Sequence, residues 1–155
     1  MRKGLICFCG AVVVLLSTFA FQALAGEYDI PDFKACEIVT GEEVAQLAGG
    51  KMLTKPISTS HVCNYTVETA ATGAESYQLS FDSSASTKTM IDIMSPEEKQ
   101  EKIDGVLDVA YLGKAPMTEQ VGLTALRNGK FGMWVSGDRK EVVLAIAKLA
   151  VTHLP

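Results

Sequence analysis

Residues 123–136 read Leu-Thr-Ala-Leu-Arg-Asn-Gly-Lys-Phe-Gly-Met-Trp-Val-Ser. Asn128-Gly129 between two alternating runs is the strongest short-range hairpin signal a sequence carries, because these residues accept the backbone angles of a tight two-residue turn. Such a turn pairs Leu126 with Phe131. Phe131, Met133 and Val135 then share one face, which reads as core, while Arg127, Lys130 and Trp134 share the other with Leu123. The only tryptophan of the chain thus stands beside two cations, a combination that suits binding of a ligand or partner. Two alternatives stay open: a helix covers this face and makes Trp134 core, or the register slips by one residue and exchanges the faces.

Outward from the hairpin, elements of both periods appear. Asp138 and Glu141 form a capping pair, followed by a stripe of Val142, Ile146, Leu149, Ala150 and His153 with Lys140 and Lys148 outside it. Before the hairpin, Val106 to Leu112 predicts a strand, and Lys114 to Gln120, with Pro116, a loop. Met90, Ile91 and Met94 space as a helix from about Ser86. Ser95-Pro96-Glu97-Glu98 starts a second short helix, which Gly105 ends. Val62 to Glu68 alternates cleanly, Ala70 to Ala74 turns the chain, and Tyr77, Leu79 and Phe81 alternate with polar residues. Thr40 and Glu43 make a capping box, stapled by Val39 and Val44, and Gly49-Gly50 stops that helix. Lys51 to Ser60 reads as a loop. The order α-β-β-α-β-β-β-α predicts an α+β fold, an antiparallel sheet of about five strands with helices packed on it.

The first 25 residues predict a signal peptide: Arg2 and Lys3, an apolar run from Leu5 to Ala20, then Ala23-Leu24-Ala25 with cleavage after Ala25. Gly4 to Ala25 is long enough to span a bilayer, but its Ala-x-Ala end and the lack of a basic cluster after it favour release. Cys7 and Cys9 come too early for lipid attachment. The remainder divides into a flexible leader, 26–35, and one domain, 36–155. Losing Arg2 and Lys3 moves the formal charge from −4 to −6, which disfavours nucleic acid and anionic membranes as partners. The expected address is the periplasm or the exterior of a bacterium, where Cys36 and Cys63 pair by default. Two reduced thiols are the alternative.

The stretch from Cys36-Glu-Ile-Val-Thr-Gly-Glu-Glu to Gly49-Gly50, then Cys63-Asn-Tyr, then Val109-Ala-Tyr-Leu-Gly resembles a broad group of small bacterial envelope proteins. Many of these are lipoproteins or sensor-like extracytoplasmic domains with a PsbP-like α/β sandwich. The resemblance implies a fold and an address. The chain has no lipobox, so membrane attachment is not implied, and the group has no common catalytic motif to carry over.

Candidate chemistry is sparse. His61, Cys63, Cys36 and His153 offer metal-ligand types without the paired spacings of structural zinc. There is no Gly-x-Ser-x-Gly elbow, and Ser83, Ser84 and Ser86 suit a turn and a helix cap. Asp92, Asp104 and Asp108 are acids without a marked geometry, and Gly49-Gly50-Lys51 ends a helix where phosphate loops begin one. Asn64-Tyr65-Thr66 matches a glycosylation sequon, accidental in a bacterial protein. No metal or cofactor is expected. The favoured function is a non-catalytic secreted or periplasmic domain that binds an unknown protein or small ligand around Trp134. The alternatives are a small secreted hydrolase and an accessory subunit of an envelope assembly.

Overall fold

The computed structural model describes residues 32–155; the expected signal peptide and most of the leader lie outside the described residues. The described residues form an α+β fold with four helices and a sheet of eight strands. After a one-turn helix α1 (Ala35–Ile38) and α2 (Gly41–Ala48) come β1 (Gly50–Met52), β2 (Ile57–Thr59), β3 (Val62–Thr69) and β4 (Gly73–Ser83). Helix α3 (Ser84–Ile93) leads to β5 (Glu101–Lys102), β6 (Val109–Lys114), β7 (Val121–Arg127), β8 (Phe131–Gly137) and α4 (Lys140–His153). The sheet order is β1-β3-β4-β8-β7-β6-β5, with β2 beside β1 on the same edge of β3, and every pairing is antiparallel.

Eight strands replace the expected five or so because β1, β2 and β5 have only two or three residues each, too few to show a period of two. Two of them lie in the segment Lys51–Ser60 that reads as a loop. The expected second helix at Ser95 is only a turn: Ser95 and Glu98 make their reciprocal hydrogen bonds, yet no helix follows. Asp138 does not cap α4, whose N-cap is Arg139 without a side-chain bond. The Asp138 carboxylate instead accepts from Ser76 N–H and Gln120 Nε2. The Thr40–Glu43 capping box is present in full, and Gly49 ends α2 in the left-handed region at φ 68°.

One face of the sheet carries the main core. Cys63, Tyr65 and Val67 of β3, Tyr77, Leu79 and Phe81 of β4, and Met133 and Val135 of β8 are all buried there. Val44, Ala45 and Ala48 of α2 and Val142, Ile146 and Ala150 of α4 join the same cluster. The Tyr65 hydroxyl donates to Val39 O at 2.7 Å, which fixes the entry to α2. Phe33, expected in the flexible leader, packs edge-on against Phe81 and Phe131 with ring centroids 5.1 Å from each, so ordered structure begins before Cys36. A disulfide joins Cys36 of α1 to Cys63 of β3, Cα to Cα 5.1 Å.

A charge cluster is buried at the end of this core. Glu75 lies in the inward phase of β4, and its carboxylate is only 3% exposed. It accepts from Tyr77 Oη at 2.6 Å, from Arg139 Nε at 3.0 Å and from the Thr72 hydroxyl. Arg139 also donates to Ala48 O at 2.6 Å, so one guanidinium ties the end of α2, the start of α4 and β4 together. Burial alone would push the Glu75 carboxyl up. The hydrogen bonds from Thr72, Tyr77 and Arg139, with the charge of Arg139, outweigh it and hold the group below its ordinary value.

Candidate ligand pocket

The hairpin register decides what stands beside Trp134. Lys130 N–H closes onto Arg127 O at 3.0 Å, and of the turn residues only Gly129 has a positive φ, 68°. A two-residue type I′ turn needs positive φ at both central positions, so Asn128 does not complete one and Lys130 joins the loop. Pairing moves by one residue, to Arg127 with Phe131 and Leu123 with Val135. The expected grouping of Trp134 with Arg127, Lys130 and Leu123 is therefore corrected. Leu123 is fully buried in the core, the Arg127 guanidinium lies 5.4 Å over the Phe131 ring on that same face, and Lys130 is exposed in the turn.

Trp134 itself is on the opposite face and half-buried. Its row across the sheet runs Tyr111, Thr124, Trp134, Ser80. The indole leans over Gly122, where a Cβ would come within 2.6 Å of the ring. The next row, Leu126, Gly132, Asp82, is covered by α3, and Gly132 is what lets it approach: a Cβ there would overlap the Thr87 side chain. The face is thus covered at one end and open beside Trp134, between the two alternatives the sequence left. We expect Gly132→Ala to cost about 1–3 kcal/mol in denaturant unfolding by forcing α3 outward, and to shift Trp134 emission to the red.

Between α3, Trp134 and Pro116 of the β6–β7 loop lies a cavity of about 220 Å³. Trp134, Met90 and Pro116 supply apolar walls, and Ser80, Thr87, Thr124 and Asp82 supply polar groups. Thr124 is 1% exposed and its hydroxyl has no hydrogen-bond partner. A buried hydroxyl without a partner costs about 1–3 kcal/mol. Asp82 accepts from Ser83 N–H and from the Ser86 hydroxyl, both at 2.7 Å, and no cation among the described residues reaches it.

The larger depression, between Ser95–Glu98 and Lys114–Glu119, is built differently. Of its three acids Glu98 is engaged by Ser95 and Glu119 by Lys114 at 3.0 Å, Glu97 is exposed, and Met117 on its rim is fully exposed. Neither histidine lines a cavity described here. His153 Nδ1–H donates to Ile38 O at 2.7 Å, and its Nε2 stands 4.0 Å from Glu43 at the end of α4. His61 precedes β3, and its Nδ1 is unpaired. With Cys36 and Cys63 bonded to each other, the thiolates of the considered metal set are gone. Among the described residues no group of three or more His, Cys, Asp or Glu side chains suits a metal ion. Ser83 caps α3, and the Ser84 hydroxyl accepts from Gly129 N–H, so the serine cluster is structural.

No protein-family model, curated protein or solved structure matches this chain. The disulfide is consistent with an oxidising, extracytoplasmic location, and no helix among the described residues is long and apolar enough to cross a membrane.

The sequence reading missed both the pocket lining other than Trp134 and the buried acid Glu75. Asp82, Thr124, Pro116 and Met90 reach the pocket only through tertiary folding. Glu75 did leave a signal, an acid in phase with the inward Tyr77, Leu79 and Phe81.

Proposed function

We propose that this chain is a non-catalytic extracytoplasmic binding domain that holds a small ligand between α3 and the sheet, against Trp134. The observation that carries the reading is the cavity itself, with apolar walls from Trp134, Met90 and Pro116 and the polar side chains of Ser80, Thr87, Thr124 and Asp82 at its lining. Pockets of this kind fix a ligand by burying its apolar body and orienting it through one or two polar groups. The cavity is smaller than the roughly 300–1,000 Å³ of drug-sized sites, which points to an occupant of one ring or a short chain. The signal peptide expected from the sequence, the resemblance to small envelope proteins and the Cys36–Cys63 disulfide support an exported location.

The test uses benzyl alcohol as probe and the fluorescence of Trp134, the only tryptophan, as signal. A saturable change that Thr124→Val weakens is the expected result. That substitution keeps the shape and removes the unsatisfied oxygen, so it should also raise the stability of the empty protein by about 1 kcal/mol. A protein that Thr124→Val destabilises, with no probe response in either form, would refute the reading.

A further inference from the structure

We infer that the pocket selects a small organic cation, an ammonium group on a compact apolar body; the inference rests on the pocket reading above. Asp82 and Trp134 come from adjacent strands on the same face. Asp82 stands opposite Gly132 and Trp134 opposite Ser80, which makes the two diagonal neighbours, about 7–8 Å apart at Cα. Both line the cavity. A carboxylate and the face of an indole are the two groups that recognise an ammonium ion, the first by charge and the second through the ring quadrupole.

The charge of Asp82 has no balancing cation among the described residues. Both its hydrogen bonds come from neutral donors, Ser83 N–H and the Ser86 hydroxyl. No Lys, Arg or His among the described residues pairs with it. The N-terminus of α3 begins beside it, but a helix end supplies only about half an elementary charge. The cavity therefore keeps a net negative end next to apolar walls. Thr124, directly opposite Trp134 on the neighbouring strand, adds a polar residue to the lining of the same cavity. An anionic ligand would meet the Asp82 carboxylate. A neutral one would leave that charge facing an apolar body.

Three probes of one shape separate these cases: benzylammonium, benzyl alcohol and benzoate, each titrated against Trp134 fluorescence at fixed ionic strength. The expected order is benzylammonium at least about tenfold tighter than benzyl alcohol, with benzoate weakest. Asp82→Asn, which keeps a carbonyl acceptor for Ser83 N–H, should bring benzylammonium to the affinity of the alcohol. Asp104→Asn, an exposed acid elsewhere, should leave the order intact and so exclude the general pull of an acidic protein. Equal binding of ammonium and alcohol would overturn the cation inference and leave the pocket standing. No saturable response to any probe would overturn both. The comparison of the three probes on the unaltered chain decides the matter even if Asp82→Asn fails to fold.

Discussion

Replacing both half-cystines, Cys36→Ala with Cys63→Ala, is expected to lower the unfolding free energy by about 3–4 kcal/mol, read from denaturant unfolding as a lower midpoint with a somewhat steeper slope, because the released unfolded chain is more expanded. The bond spans 27 residues of sequence. Closing a loop of that size removes conformational freedom from the unfolded chain, and the loss scales weakly with loop length. It also holds α1 on β3 at a place where α1 has only four residues and no side-chain cap of its own. Cys63 is fully buried, so truncation there adds a small void to the entropic effect. A typical domain has a net stability of about 5–15 kcal/mol, so the expected loss would be a large part of it. A loss under about 1 kcal/mol would mean that Phe33 and Ala35, packed into the core, hold this corner without the bond. The proposed ligand pocket lies on the other face of the sheet, and its expected fluorescence response should survive in the folded fraction.

Arg139→Ala should cost about 3 kcal/mol, measured the same way. Removing one partner of a buried ion pair costs about 3–5 kcal/mol, because the other charge stays behind without compensation. The lower end applies because the Arg139 side chain keeps 31% of its surface in water, whereas Glu75 is almost wholly enclosed. The substitution also leaves Ala48 O, at the end of α2, without its donor.

Acid dependence gives the same pair a second signature. The folded-state Glu75 carboxyl lies below its ordinary value of 4.5, so the folded protein releases that proton more readily than the unfolded chain. Its contribution is therefore complete above about pH 4.5 and is lost as pH falls through the lowered folded value. Glu43 and Glu98 are held low by the backbone N–H groups of Thr40 and Ser95, and they titrate in the same direction. The difference between parent and Arg139→Ala profiles isolates Glu75. Without the guanidinium, burial pushes that carboxyl upward and the acid loss from this group should shrink or reverse. Parallel profiles would show that the pair contributes no pH dependence.

What the sequence made legible follows from how far along the chain each signal extends. Helix α2 carries its cap, staple and stop within a dozen residues. Strands β3 and β4 show unbroken alternation over Cys63 to Val67 and Tyr77 to Phe81. All of these form as read. β1, β2 and β5 left no period to read. The seam between β4 and β8, Phe81 opposite Met133, joins segments far apart in the chain, and no local pattern specifies it. In the hairpin the existence of the turn was plain, but its register hung on the φ of Asn128, a single dihedral that decides which side chains accompany Trp134. Trp134 was legible as a candidate because a lone tryptophan on an alternating strand has only two places to go. Asp82, Thr124, Met90 and Pro116 were not, because each belongs to a different element and only the folded sheet brings them to one cavity.

The borders of the sheet have a consequence for how this protein meets other molecules. One border is β5, two residues long and charged at both positions, with Glu101 held by Lys140 of α4. The other is shared by β1 and β2, three residues each, separated by a stretch that contains Pro56. A chain that docks by adding its own strand needs a long row of free backbone donors and acceptors, and within the described residues neither border offers one. Within the described residues, the same brevity that hid these strands from the sequence leaves no long edge for a second copy to extend. On the proposed reading, recognition falls to the broad side of the sheet, where side chains and not backbone would choose the guest.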